Sequence, residues 1–247
     1  MKGKTVLITG ASNGIGRAIA LEFAKPNNTI LLTWNSNKEG IQETQELVLK
    51  KGAEVQIYNL KLERINEIQD FCKKINSFCP PDILINNAAF AQKKDFMSIN
   101  DDDLEKVLSV NLKAPFRLCQ NFIPNMKMKG WGRIINISSI GGQWGGIHQV
   151  HYALSKAALI NLTRSLAKLY SKDGIISSSI TPGIIDTAMT SETLGHNIDK
   201  ELLSQIPIGR LGTSEEVAKA AKYLSSDEAA YLSGITLNIN GGMYFNS

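Results

Sequence analysis

Short runs of consecutive apolar, often β-branched residues alternate along the chain with longer stretches in which apolar positions recur every three or four residues. The runs TVLIT (5–9), TILLTW (29–34), EVQIY (54–58), DILIN (82–86), GRIINIS (132–138), GIISSSI (174–180) and ITLNI (235–239) read as strands. The amphipathic stretches at roughly 15–25, 37–51, 63–78, 101–127, 151–171 and 214–225 read as helices. Strands that are apolar at successive positions are covered on both faces, as in a parallel sheet. The succession therefore predicts an α/β fold: a Rossmann-like, doubly wound parallel sheet of about seven strands with helices on both faces. Nothing marks a linker, so residues 1–247 are expected to form a single domain that binds a dinucleotide and carries the catalytic groups. The segment 183–209, GIIDTAMTSETLGHNIDKELLSQIPIG, breaks the alternation and is expected to be a substrate loop.

Composition narrows the function classes. Hydrophobic residues make up 43% and charged residues 20% of the chain, which is ordinary for a globular protein. The net charge of +4 is spread without a basic run, so no nucleic-acid partner is expected. Cys72, Cys79 and Cys119 form no C-x-x-C pair, and no His/Cys group has ligand spacing, so no metal site is expected. Unpaired thiols fit a cytoplasmic location. The start MKGKTVLITG shows no long apolar segment and no small-residue cleavage site, so secretion is not expected, and no apolar stretch reaches membrane-spanning length, so no membrane partner is expected.

The first predicted strand runs into TGASNGIGRAIA, with Gly10, Gly14 and Gly16 ahead of a helical pattern. Glycines there let the backbone turn tightly and approach a phosphate, whose charge then sits against the free N–H groups of a helix N-terminus. Gly10, Ser12, Asn13, Gly14, Ile15 and Gly16 are thus candidate pyrophosphate contacts. After the second strand an Asp or Glu would take the ribose 2′-hydroxyl of NAD. Here Trp34 and Asn35 stand in its place, followed by Ser36 and Lys38. No carboxylate repels a 2′-phosphate, and Asn13, Asn35, Ser36 and Lys38 offer it hydrogen bonds or charge, so NADP(H) is preferred over NAD(H).

The sequence HYALSK places Tyr152 and Lys156 four residues apart, on one helical face. A Y-x-x-x-K spacing arises by chance in roughly every second chain of this kind, so its surroundings carry the argument. A phenol titrates near pH ~10, and an adjacent ammonium stabilises its anion, making a general acid near neutral pH. Upstream, Ser138 and Ser139 fall at the C-terminal end of a strand, where open α/β sheets place their ligands. Ser139 is the better placed to hydrogen-bond a substrate oxygen, and Ser138 is expected to face the core.

At these residues the chain resembles the short-chain dehydrogenases/reductases of single-domain length. The resemblance spans nearly the whole chain, through TGASNGIG (9–16), NNAA (86–89), Asn111 in SVNLKAPF, Ser139, YALSK (152–156), PGIIDT (182–187) and INGGMY. It implies a catalytic group of Asn111, Ser139, Tyr152 and Lys156. Tyr152 would give the proton and Ser139 polarise the carbonyl. Lys156 would acidify the tyrosine and bind the nicotinamide ribose, and Asn111 would hold a water that relays protons to Lys156. The resemblance also implies that Asn87, Ala88 and Ala89 line the cofactor, and that Pro182, Gly183, Ile185 and Thr187 meet its nicotinamide end and phosphates. Asn59 and Leu60 stand where the family has Asp-Val at the adenine, and Ala89 replaces a glycine.

Within the family, IPIGRLGTSEEVAKAAKYLSSDEAAYLSG is most similar to 3-oxoacyl-(acyl-carrier-protein) reductases of fatty acid synthesis. That resemblance implies an NADPH-dependent reductase of a 3-oxoacyl thioester, an acyl carrier protein as partner met through Lys127, Lys129, Lys168 and Lys172, and a homotetramer. The loop GGQWGGIHQVH is bulkier than an acyl site requires, and Trp144 would also stack on a sugar or a polycyclic alcohol. An NAD(P)-dependent dehydrogenase of such a secondary alcohol is the alternative enzyme. A dinucleotide-binding regulator without turnover is the alternative of another class. His148 and His151 read most simply as loop and helix-start residues.

Overall fold

The computed structural model describes residues 3–188, 190 and 200–245. Seven parallel strands form one sheet: β1 (Thr5–Ile8), β2 (Thr29–Trp34), β3 (Glu54–Asn59), β4 (Ile83–Asn86), β5 (Gly132–Ile137), β6 (Ile175–Pro182) and β7 (Thr236–Ile239). Their order is β3-β2-β1-β4-β5-β6-β7. The direction of winding reverses between β1 and β4, where Ile8 pairs with Ile85. A crevice at such a switch, outside the carboxyl ends of the strands, is where this architecture holds ligands.

The helices are α1 (Gly14–Phe23), α2 (Lys38–Lys50), α3 (Ile65–Phe78), α4 (Asp101–Leu108), α5 (Ala114–Lys129), a short α6 (Gly141–Trp144), α7 (Val150–Tyr170), a short α8 (Lys200–Ser204) and α9 (Ser214–Leu224). Successive strand residues point to opposite faces, and both faces are buried. Val6 and Ile8 pack with Ile19, Phe23, Val217 and Leu224 under α1 and α9. Leu7, between them, packs with Ile75, Leu118 and Phe122 under α3 and α5. This is why the strands read as continuous apolar runs.

The stretch predicted as one helix over 101–127 is broken by a wide turn of π type at Ser109–Lys113. Pro115 explains the break, because it has no N–H to give to the Asn111 carbonyl four residues earlier. Of the expected substrate loop at 183–209, residue 189 and residues 191–199 lie outside the described residues. Ile185 forms a bridge with Gly212. Among the described residues, no helix is long and apolar enough to cross a membrane.

Candidate active site

The glycine loop is shaped by close approaches. Gly10 has φ 68°, and a Cβ there would lie 2.8 Å from the Ala88 Cα. A Cβ on Gly16 would lie 2.2 Å from the Gly10 carbonyl oxygen, so neither position accepts a side chain. Asn13 caps α1 with no side-chain hydrogen bond, and the first turn holds no acidic residue. The amides at this helix start are therefore left for an anion, and no carboxylate competes with it. Arg17 supports the loop from behind, donating to the Ser12 carbonyl at 2.7 Å and the Gly40 carbonyl at 3.0 Å.

The loop is fastened to the segment after β4. Thr9 Oγ1 accepts from the amides of Asn87 and Ala88, each at 3.0 Å. Asn87 Nδ2 returns bonds to the carbonyls of Thr9 and Gly10 at 2.9 and 3.0 Å. Deeper in the sheet, Asn86 Nδ2 donates to Asn136 Oδ1, and Asn136 Nδ2 to Thr163 Oγ1, both at 2.8 Å. These bonds join β4 to β5 and β5 to α7, the helix that carries Tyr152.

A cavity of about 610 Å³ runs along the carboxyl ends of the strands. It is lined by Gly10, Ser12, Asn13, Gly14, Ile15 and Gly16, by Asn35, Ser36 and Leu60, by Asn87 to Ala89, by Ser139, Tyr152 and Lys156, and by Pro182, Gly183, Ile185 and Thr187. Sequence reading had singled out all of these. Ser138 also touches the cavity, but its hydroxyl donates to the Lys156 carbonyl at 2.8 Å and faces the core as expected. Trp34, Asn37, Glu63, Phe90, Lys106 and Val110 are among the further lining residues that were not singled out as contacts. Asn37 announces itself as the N-cap of α2, accepting from the Gly40 amide. Lys106 lies 4.1 Å above the Phe90 ring and has no sequence signal.

Two expected cofactor contacts stand outside that lining. Asn59 turns its amide to the carbonyls of Asn35 and Trp34, at 2.7 and 3.3 Å, because it ends β3 beside β2. Lys38 begins α2 on the exposed side. Asn111 is fully buried behind Phe90. Its Oδ1 accepts from the Phe90 amide at 2.8 Å, and its Nδ2 donates to the Phe90 carbonyl and to Ser155 Oγ, both at 3.0 Å. Both amide hydrogens are thus committed. A water at Asn111 would be met by its main-chain carbonyl, which Pro115 leaves without the usual helical donor.

Ser139 Oγ accepts from the Gly141 amide at 3.1 Å, and Ser139 and Tyr152 line the same part of the cavity. Lys156 lies one turn on from Tyr152, its Nζ 5.6 Å from the centre of the tyrosine ring. The electrostatics differ from the expectation of a phenol acidified by its neighbour. Burial pushes the Tyr152 phenol up to about 12, against a smaller opposing influence of the nearby Ser139 hydroxyl. Burial also brings Lys156 down to about 7. The lysine points its Nζ at the Ile137 carbonyl, 2.7 Å away, so its charge is weakened and directed elsewhere.

The lysines expected at a carrier-protein entrance sit elsewhere on the chain. Lys127 and Lys129 end α5 just before β5, and Lys168 and Lys172 lie just before β6. That is the amino end of the sheet, opposite this chain's own cavity. Lys127 pairs with Asp173 at 3.3 Å and Lys129 with Asp82 at 2.7 Å. Trp144 is 54% exposed and does not line this cavity, and its ring lies 6.4 Å from that of Tyr244. Among the described residues no group of His, Cys, Asp and Glu could hold a metal.

Residues 10–244 match the family model described as enoyl-(acyl carrier protein) reductase. A 3-oxoacyl-(acyl-carrier-protein) reductase of Aquifex aeolicus is 38% identical, across 99% of this chain and 98% of that one. The reductase of the same description from Pseudomonas aeruginosa is 37% identical across 100% and 99%. A provisionally assigned NAD(P) dependent gluconate 5-dehydrogenase from Beutenbergia cavernae, solved with NADP at low occupancy, superposes with a TM-score of 0.92. It shares 30% identity, over 98% of this chain and 97% of that one.

Proposed function

Since the chain belongs to the short-chain dehydrogenase/reductase family and is an NAD(P)-dependent oxidoreductase, we propose that it reduces a ketone with NADPH, the substrate being a 3-oxoacyl thioester. The observation that carries this reading is that Ser139 and Tyr152, with Lys156 one turn away, line the same cavity as the glycine loop.

The residues present fit a dinucleotide: close-packed glycines, an uncapped helix start and a long cavity leading from them to Tyr152. When bound, NADPH supplies the hydride. Gly14, Ile15 and Gly16 would hold its pyrophosphate through their amides, while Asn13, Asn35 and Ser36 would meet the adenosine phosphate, which no Asp or Glu at the end of β2 opposes. Tyr152 is a neutral phenol across the physiological range, so its proton is available to the carbonyl oxygen as that oxygen gains charge. The Ser139 hydroxyl bonds the same oxygen and fixes its place. Lys156, close to half protonated near pH 7, is suited to re-protonating the tyrosine after each turnover. Asn111 holds the Phe90 wall and presents its main-chain carbonyl to a relay water.

The thioester substrate is supported by the two reductases at 37% and 38% identity. A second reading, oxidation of a sugar acid or other secondary alcohol, is supported by the gluconate dehydrogenase neighbour and the exposed Trp144 ring. NADPH oxidation with acetoacetyl thioester, run against NADP⁺ reduction with gluconate, separates them; turnover only of gluconate would overturn the thioester reading. The family likeness further supports a cytoplasmic homotetramer that accepts its substrate from an acyl carrier protein. Light scattering of the purified protein and kinetics with the carrier-bound substrate test both points.

A further inference from the structure

We propose that His151 is a positioning residue for the reaction, its Nε2–H fastening the loop after β4, through Gln92, to the helix turn that presents Tyr152. This rests on the reading of Tyr152 as proton donor. Successive helix residues point about 100° apart, so Tyr152 can face the cavity while His151 faces the loop. His151 is 1% exposed, and its Nε2 lies 3.2 Å from Gln92 Oε1.

The proton's position follows from the next bonds along. Gln92 Nε2 donates to Asp103 Oδ1 at 3.0 Å. The Asp103 carboxylate, which can only accept, also receives Lys94 Nζ and, at 3.1 Å, the Asn100 amide. Gln92 therefore turns its oxygen to the imidazole, and Nε2 must carry the hydrogen. Nδ1 is left as a bare lone pair, buried and without a partner among the described residues. Burial, and secondarily Lys94, disfavours protonation of the ring, while Asp103 favours it, and the ring's pKa ends below its ordinary value.

Two features make this bond matter to the site. The N-cap of α7, Gln149, makes no side-chain cap, and the first turn holds no acidic residue, so the turn bearing Tyr152 lacks the usual local restraints. The loop that His151 secures continues directly from Ala88, Ala89 and Phe90 of the cavity wall and is tied again where the Lys94 amide donates to the His148 carbonyl at 2.8 Å.

The test uses the full-length protein and three variants. His151→Leu should speed amide exchange over residues 90–95 by about tenfold or more, with the strands unchanged. It should lower kcat about ten- to a hundredfold while the NADPH dissociation constant, read by fluorescence, moves by less than about threefold. His151→Gln, which keeps a donor near Nε2, should recover most of the rate, and Gln92→Ala should reproduce the leucine variant. In the wild type, imidazole nitrogen NMR should show a neutral ring protonated on Nε2. A ring protonated on Nδ1 instead, or unchanged exchange and kcat in His151→Leu, would overturn the proposal. If that variant does not fold, unchanged exchange and kcat in Gln92→Ala do so. Failure of the enzymatic reading shows separately, as a wild type that turns over no ketone while the tautomer and exchange results hold.

Discussion

Lys156 directs its ammonium to the carbonyl of Ile137, 2.7 Å away, and not to the phenol of Tyr152, one helical turn earlier. The two residues share a cavity, yet each has its neutral form favoured by burial. The tyrosine is thus a proton reservoir at neutral pH, and its conjugate base must be stabilised by what enters the cavity. Tyr152→Phe should leave NADPH affinity within about twofold and lower kcat by two to four decades, roughly the contribution of a general acid. Steady-state rates and a fluorescence titration check both, and a near-normal rate would remove Tyr152 from the role.

Burying Lys156 makes stability depend on pH. Its folded pKa of about 7 lies below the ordinary lysine value, so between the two the unfolded chain holds the additional proton. Stability should therefore rise with pH from about 7 to about 10, with the penalty fully present below that window. Lys156→Met should unfold later than the wild type at pH 6.5, by at least ~1 kcal/mol, and the gap should narrow toward pH 10. Urea unfolding without cofactor at several pH values reads this directly.

Cofactor choice should turn on the end of β2. Asn35→Asp places a carboxylate beside Ser36, where a 2′-phosphate would sit, and supplies an acceptor for a ribose hydroxyl. The ratio of kcat/KM for NADPH to that for NADH should fall by about tenfold or more, one like-charge contact's worth. An unchanged ratio would move the phosphate elsewhere.

The Thr9 hydroxyl is expected to matter more than its size suggests. Thr9→Val keeps the shape but removes the acceptor for the Asn87 and Ala88 amides. Leaving those donors unsatisfied should cost about 1–3 kcal/mol and weaken NADPH binding by about tenfold or more. Thermal unfolding with and without NADPH separates the two losses.

The parallel sheet was legible because its strands are apolar on consecutive positions, as the split of Val6, Leu7 and Ile8 between two cores requires. The cavity lining was legible because glycines such as Gly10 and Gly16 stand where no Cβ fits. What escaped depended on geometry that residue type does not encode. The direction of the Lys156 side chain is set by a carbonyl on β5, and no spacing rule contains it. Asn59 was expected near the adenine from the family resemblance, yet it stands outside the cavity lining, its Nδ2 donating to the carbonyls of Asn35 and Trp34. The wide turn at Ser109–Lys113 hid within an apolar pattern that continues through it, although Pro115 was the available signal. His151 reads as an ordinary helix-start residue because its partner Gln92, and the Asp103 that orients Gln92, are distant in sequence.

The reciprocal bonding of Thr9 and Asn87 makes the anion cradle and the wall beside the reactive ring a single rigid part. A shift in how the diphosphate is seated would be passed through these bonds to the hydride-bearing end. Reshaping the glycine loop or the segment after β4 is therefore inseparable from re-aiming the chemistry, whereas nucleotide choice at Asn35 and Ser36, beyond that shared part, can be changed with the aim left intact.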